Sequence, residues 1–371
     1  MQVETIPSKW PEGFSEGPRN RRALFVLMSL RGIEPKKLLE LAVRERTASA
    51  CLAAIRAGRA GSPSDHEHAG SIDPDMVEAA VDTCGARLVV AGSPEYPPQL
   101  NDLHDPPAGL FVRGRPLPGR FGTVAVVGAR RCSDLGGELS HTIGRDLAAS
   151  GLCVVSGAAR GIDAAAHEGA LAAGGHTIAI LGCGIDRPYP SASRVLIGRI
   201  AAEGSVASEY PPGVPAEPFR FPARNRLVAA LATALVVVEG AERSGSLISA
   251  RHALGIGRDV FAVPGSVTNP LSYVPHTLIR DGATLIRGVD DLMDDLGLTR
   301  DPGRELMPVD LTVPERAALD IITAPVLPER IARDIGVGVA DAISLLMRLE
   351  MKGLVVCVGG RYERRLRAST T

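Results

Sequence analysis

Thr123-Val124-Ala125-Val126-Val127-Gly128-Ala129-Arg130 is an unbroken apolar run that ends in a glycine turn bearing an arginine. The pattern returns in Leu152-Cys153-Val154-Val155-Ser156-Gly157, Thr177-Ile178-Ala179-Ile180-Leu181-Gly182-Cys183-Gly184, Ala234-Leu235-Val236-Val237-Val238-Glu239-Gly240 and Val260-Phe261-Ala262-Val263-Pro264-Gly265. Runs without polar alternation fit strands covered on both faces. Helix-like segments, among them 135–149 and 162–173, fall between them. Strand, turn and helix in repeated alternation predict an α/β fold with a doubly wound parallel sheet. In such a sheet the ligand crevice lies at the carboxyl ends of the strands, where these glycines sit.

Working outward, the sheet domain is expected over 85–296. Its first stretch, with Tyr96-Pro97-Pro98 and Asp105-Pro106-Pro107, is too apolar for a free linker and reads as an extended arm packed on the domain. Residues 1–19 are polar, with Pro and Gly throughout, and are expected to form a disordered tail. Residues 20–84 read as a small helical module carrying Leu24, Leu27, Leu38 and Leu41, with 61–71 as a loop. His66 and His68 in that loop lack further ligands at metal-site spacing and are read as solvated. Residues 297–311 form a charged linker. From 312 to 371, three helical segments precede a hairpin pattern, the order of a winged helix-turn-helix. Its third helix carries Asp341, Arg348, Glu350 and Lys352, a mixed set poor for phosphate binding, so a protein–protein or dimer-support role is expected ahead of DNA contact.

With 371 residues, 45% hydrophobic and 22% charged, the chain is an ordinary soluble protein long enough for two or three domains. A net charge of −1 offers polyanions no bulk attraction, so any such site must be a local cluster. Six cysteines without a C-x-x-C pair, several inside apolar runs, fit a reducing cytoplasm. No apolar run reaches membrane-spanning length and the start lacks a signal-peptide core.

The candidate chemistry lies in the turns. Gly128-Ala129-Arg130, Gly157-Ala158-Ala159-Arg160-Gly161 and Gly182-Cys183-Gly184 each follow a strand. There, backbone amides at a helix start can meet an anion. Arg224-Asn225-Arg226 adds two guanidinium groups at another helix start, although one of them has an internal partner available in Glu209 or Glu239. Gly240-Ala241-Glu242-Arg243-Ser244-Gly245-Ser246 has the glycine spacing of a P-loop, but Ser246 and Leu247 stand where Lys and Ser/Thr are needed. No G-x-G-x-x-G occurs. ATP hydrolysis and dinucleotide chemistry are therefore disfavoured, while Ser244 and Ser246 can still donate to phosphate. Asp163 and His167, at i and i+4, are read as structural. No catalytic set, metal cluster or cofactor motif assembles, so a non-enzymatic binder is expected.

These motifs together resemble the DNA-processing protein A (DprA/Smf) family. The resemblance rests on Gly128-Ala129-Arg130, Ser156-Gly157-x-Ala159-x-Gly161-Ile162-Asp163, Ser208-Glu209-Tyr210-Pro211-Pro212-Gly213, Phe221-Pro222-x-Arg224-Asn225-Arg226 and Arg243-Ser244-Gly245-Ser246. It spans about residues 85–290, and Val274-Pro275-His276-Thr277 departs from the family pattern. It implies an extended Rossmann-like domain between an N-terminal helical (SAM-like) module and a C-terminal winged helix. It also implies a homodimer that binds single-stranded DNA, protects incoming strands and helps load the RecA recombinase in natural transformation. The implied pocket uses Arg130 and a basic residue after Tyr189-Pro190, here Arg194, with Arg224, Arg226 and the 243–246 turn at the same rim. Two alternatives use the same fold: a phosphoribohydrolase-like enzyme on nucleotides, with Glu239 or Glu242 as its carboxylate, and a nucleotide sensor.

Overall fold

Proline and small hydroxyl side chains decide where the first helices begin. In the computed structural model, which describes residues 9–30, 32–119, 122–298, 311–322, 325–351 and 354–364, these are α1 (Gly17–Ser29), α2 (Pro35–Glu45), α3 (Ala48–Arg56), α4 (Pro63–Ser71) and α5 (Pro74–Thr83). Proline stands in the first turn of all but α3, where a missing N–H costs nothing. Helix α4 replaces the loop expected at 61–71. Ser62 Oγ accepts from Asp65 N at 3.2 Å while Asp65 Oδ2 accepts from Ser62 N at 2.9 Å, a reciprocal cap that starts a helix on a polar sequence.

The tail expected at 1–19 is also corrected. Trp10 and Phe14 are buried with ring centroids 4.9 Å apart, and Lys9 Nζ donates to Leu103 O at 2.6 Å. Two large aromatic rings near the start had apolar neighbours to cover them, which polarity averaged over the segment concealed. Residues 1–8 lie outside the described residues.

After these helices come β1 (Ala86–Val90), β2 (Gly109–Gly114), β3 (Thr123–Val127), α6 (Asp134–Ala149), β4 (Cys153–Ser156), α7 (Ile162–Ala172) and β5 (Thr177–Leu181). Then follow α8 (Arg194–Glu203), β6 (Ser205–Ser208), α9 (Arg220–Leu231), β7 (Ala234–Val237), α10 (Gly245–Gly255) and β8 (Asp259–Ala262). The unit closes with α11 (Tyr273–Arg280), β9 (Thr284–Leu285) and α12 (Val289–Asp295). The nine strands form one sheet in the order β1-β2-β6-β5-β4-β3-β7-β8-β9. It is parallel from β6 through β9, and β1 and β2 extend it antiparallel. This is the Rossmann-like α/β architecture. Every residue of β3, β4, β5 and β7 is buried, as their continuous apolar runs required, and so is every residue of β6.

The predicted arm is thus partly sheet, and Tyr96 fixes its loop by donating from Oη to Pro107 O at 2.8 Å. The helical module packs on β2, where the Phe25 and Phe111 rings lie 6.4 Å apart. The chain order of strands reverses direction between β3 and β7, the switch point where parallel sheets of this kind open a crevice.

Residues 302–371 form a second unit. It holds α13 (Val313–Ile321), α14 (Pro328–Ile335), α15 (Val339–Met351) and an antiparallel ribbon of β10 (Val355–Val358) and β11 (Arg361–Arg364). Ala318, Ile331, Leu345, Leu346 and Leu349 fill its core. Most of the linker expected at 297–311 lies outside the described residues, as does Lys352. Among the described residues no helix is long and apolar enough to cross a membrane.

Candidate functional site

At the switch point a cavity of about 460 Å³ opens between the turns that follow β3, β4 and β7. Gly128, Arg130, Gly157, Arg224, Asn225, Arg243, Ser244, Gly245 and Ser246 all line it, joined by Arg131 and Asp163. Four sequence-derived candidates do not. Arg160 and Arg194 are exposed elsewhere, Gly182 is buried beneath Phe221, and Arg226 faces inward.

The turn after β3 differs from the expected phosphate cradle. A Cβ on Gly128 would come within 2.6 Å of Ile162 Cγ1 and 2.8 Å of Glu239 O, so this glycine lets α7 and the end of β7 pack against the turn. The start of α6 already holds an anion of the protein's own. Glu239 accepts from Ser133 N at 2.9 Å and from Ser133 Oγ at 2.6 Å. That carboxylate takes the place a phosphate would have had at the helix start, as the helix dipole favours. Both of its oxygens are thus engaged by Ser133, and Arg224 and Arg226 find their partners elsewhere. Arg130 and Arg131, just before Ser133, stay exposed at the cavity mouth.

Arg224 supports the turn after β4. It is 4% exposed, and its Nη1 donates to Gly157 O at 2.6 Å and to Ile180 O. Asp163 Oδ2 accepts from Gly157 N at 3.1 Å, so both polar atoms of Gly157 are held. A Cβ at position 157 would sit 2.4 Å from the guanidinium nitrogens. Ala158 has φ of 52° and Gly161 φ of 79°, left-handed values that only glycine adopts cheaply. A side chain at Gly161 would strike Ala129 O at 2.3 Å, and Ile162 N donates to that same oxygen at 3.2 Å. The β4 turn therefore buttresses the turn that presents Arg130.

Burial raises the Asp163 carboxyl above its usual range, with Arg224 opposing. Burial also lowers the Arg224 guanidinium, against the pull of Asp163. His167, fully buried, bonds through Nδ1 to Thr177 Oγ1 at 2.7 Å, and burial and then Arg224 push it down to about 3. Asp163 and His167 are structural, each with its own partner.

Arg226 does not belong to the rim. It contacts Glu209 at 2.7 Å and Asp105 at 3.1 Å and is 5% exposed. Burial works against its charge, yet these two carboxylates hold its proton more tightly than usual. Arg226 ties α9 to the loop before β2, and Glu209 is the internal partner that the sequence offered. Asn225 Nδ2 reaches Gly245 O at 3.3 Å, linking α9 to the turn after β7. There Ser244 caps α10 and its hydroxyl lies 2.8 Å from that of Ser246.

Two aromatic rings were missed. Phe221 lies over Gly182, where a Cβ would come 3.0 Å from its Cδ1, and Tyr189 packs on it at 5.3 Å between centroids. The Arg130 guanidinium stands 5.3 Å from the Phe221 centroid. The low aromatic content hid this cluster, but Phe221 three residues before Arg224 and Tyr189 after the third glycine turn were its signal. Among the described residues no group of His, Cys, Asp and Glu could hold a metal ion. The arrangement offers exposed guanidiniums, hydroxyls and a tilted ring pair along one sheet edge, a chemistry that fits phosphate and base.

Residues 87–297 match the model of a family described as DNA recombination-mediator protein A. Protein Smf of Escherichia coli is 36% identical over 295 residues, covering 76% of this chain and 78% of that protein. DNA processing protein DprA of Streptococcus pneumoniae is 44% identical over 198 residues, 53% of this chain and 70% of its own length. The X-ray structure of the S. pneumoniae protein superposes with a TM-score of 0.66 at 34% identity, covering 74% of this chain and 97% of that one. A structure of DNA processing protein A from Helicobacter pylori, concerned with that protein's single-stranded DNA binding mode, gives a TM-score of 0.52 at 30% identity. It covers 57% of this chain and 97% of that one.

Proposed function

Because the chain belongs to the DNA recombination-mediator protein A (DprA/Smf) family, we propose that it binds single-stranded DNA along the carboxyl edge of its sheet. Bound there, it protects incoming strands and helps load the RecA recombinase during natural transformation, without breaking or making covalent bonds. The observation that carries this reading is the switch-point cavity, with exposed guanidiniums at its mouth and the Tyr189–Phe221 pair beside it. Arg130, Arg131 and Arg243 take phosphates, Ser244 and Ser246 donate hydroxyls, and Phe221 stacks a base. Exposed Arg160 and Arg194 meet phosphates further along the strand. Glu239, with both oxygens bound to Ser133, gives a nucleotide hydrolase no support.

The protein acts as a homodimer in the cytoplasm. The sheet ends at β9, an open edge on which Leu285 is exposed and where a second copy can pair. All six cysteines are free, in keeping with a reducing compartment.

Filter binding of labelled single strands and duplex at two salt concentrations tests the reading. Single strands should bind more tightly, with affinity falling steeply as salt rises. Arg130→Ala should lower the logarithmic salt slope by about 0.7 for one lost phosphate contact. Equal affinity for duplex, or a flat salt response, overturns it.

A further inference from the structure

Phe219 is the most exposed aromatic side chain on the edge of the sheet, at 65%, and the single-strand site described so far does not use it. It begins α9 at helical φ and ψ of −72° and −20°, two residues before Phe221. Residues two apart on a helix point to different sides, so its ring faces away from the Phe221 cluster.

A phenylalanine this exposed normally wanders among rotamers. This one rests on a fixed support. The Arg220 guanidinium lies 5.3 Å from its centroid and 4.7 Å from that of Tyr210. Arg220 is itself only 3% exposed, held by Glu217 through Nε at 2.9 Å and Nη2 at 2.8 Å. A buried, ion-paired cation between two rings pins the inner face of Phe219 and leaves its outer face open.

The place matters as much as the support. The cavity sits at the ends of β3, β4 and β7, Phe221 covers the end of β5 at Gly182, and Tyr210 follows β6. In the sheet these strands run β6-β5-β4-β3-β7, about 4.8 Å apart. The Phe219–Arg220–Tyr210 stack is thus the next station on one edge, beyond Phe221. A lone preorganised ring continuous with a charged track suits a nucleobase, whereas a protein partner would call for a broader apolar patch.

We infer that Phe219 is a second base-stacking platform for single-stranded DNA, engaged by the part of the strand that runs past Phe221. The inference rests on the binding reading above. Its test uses the full chain and fluorescein-labelled oligothymidylates of increasing length. Phe219→Ala should bind the shortest strands like the wild type and lose about 5- to 100-fold on strands long enough to pass Phe221. Phe219→Trp should restore that affinity, and Phe219→Leu, apolar without a π face, should not. Equal binding by Phe219→Ala at every length overturns the platform alone and leaves Phe219 as a protein contact. Full recovery by leucine also overturns it. A wild type that binds no single strand removes both the platform and the site it extends.

Discussion

Arg224 carries a full charge into the floor of the cavity, yet its hydrogen bonds run to protein carbonyls. Removing it leaves Gly157 O and Ile180 O without the donor they have now and takes a favourable charge away from Asp163; each lost hydrogen bond from a charged group costs about 1.5–3 kcal/mol. Arg224→Ala should therefore lower the urea midpoint strongly. Arg224→Lys should recover only part of it: both bonds leave from Nη1, which an ammonium can replace, but the flat guanidinium packed across Gly157 is lost. Arg130→Ala, at an exposed position, should stay within about 0.5 kcal/mol of wild type in the same experiment. A melt that ranks them the other way removes the division between supporting and contacting arginines. His167 adds a pH signature. Its ordinary value is 6.5, and burial holds it at about 3 in the folded protein. An unfolded chain takes up that proton as pH falls through 6.5, and the folded one does not until about 3. The stability His167 contributes is complete above 6.5 and is lost as pH drops toward 3. His167→Gln, which can keep a hydrogen bond to Thr177, should flatten the dependence of the urea midpoint on pH over that window. An unchanged slope would mean that His167 is not the group titrating.

Gly128 shows how a turn between elements misleads a reader of sequence. The run before it forecast β3 correctly, since continuous apolar residues have few other places to go, and the glycine forecast the turn. Its reason is packing: a Cβ has no room against Ile162 and the Glu239 carbonyl. Gly128→Ala should cost about 1–3 kcal/mol in denaturant unfolding, the usual effect of overpacking a close contact. A variant as stable as the wild type would restore Gly128 to the ligand side of the turn. The anion place at the start of α6 was equally illegible, because Glu239 lies 106 residues from Ser133 and only the fold unites them. The five strongest strands were readable. Strand β6, Ser205–Ser208, was not, because two of its four residues are serines whose hydroxyls are satisfied by Arg115 O and Cys183 O. Phe221 and Tyr189 escaped for the opposite reason: each is unremarkable alone, and their meaning comes from lying over Gly182 with Arg130 above.

A chain with net charge −1 can hold a polyanion only where its cations are gathered, as at the cavity mouth of the first unit. The second unit presents something different. On α15 the exposed side chains Val339, Ile343, Met347 and Met351 recur every fourth residue, an apolar stripe along the helix that a winged helix would place in a DNA groove. The one arginine of α15, Arg348, lies 3.5 Å from Glu315, and Glu350 accepts from Cys357 N at 3.1 Å. Phosphate contact needs unpaired cations, and base reading needs donors and acceptors, neither of which a stripe of valine, isoleucine and methionine supplies. A chain ending at Asp301 should accordingly bind single-stranded oligonucleotides within about two-fold of the full chain. Its logarithmic salt slope should be unchanged, since no phosphate contact is lost. A ten-fold loss of affinity with a shallower slope would instead assign phosphate contacts to the second unit, and the apolar stripe would then need another explanation than contact with protein.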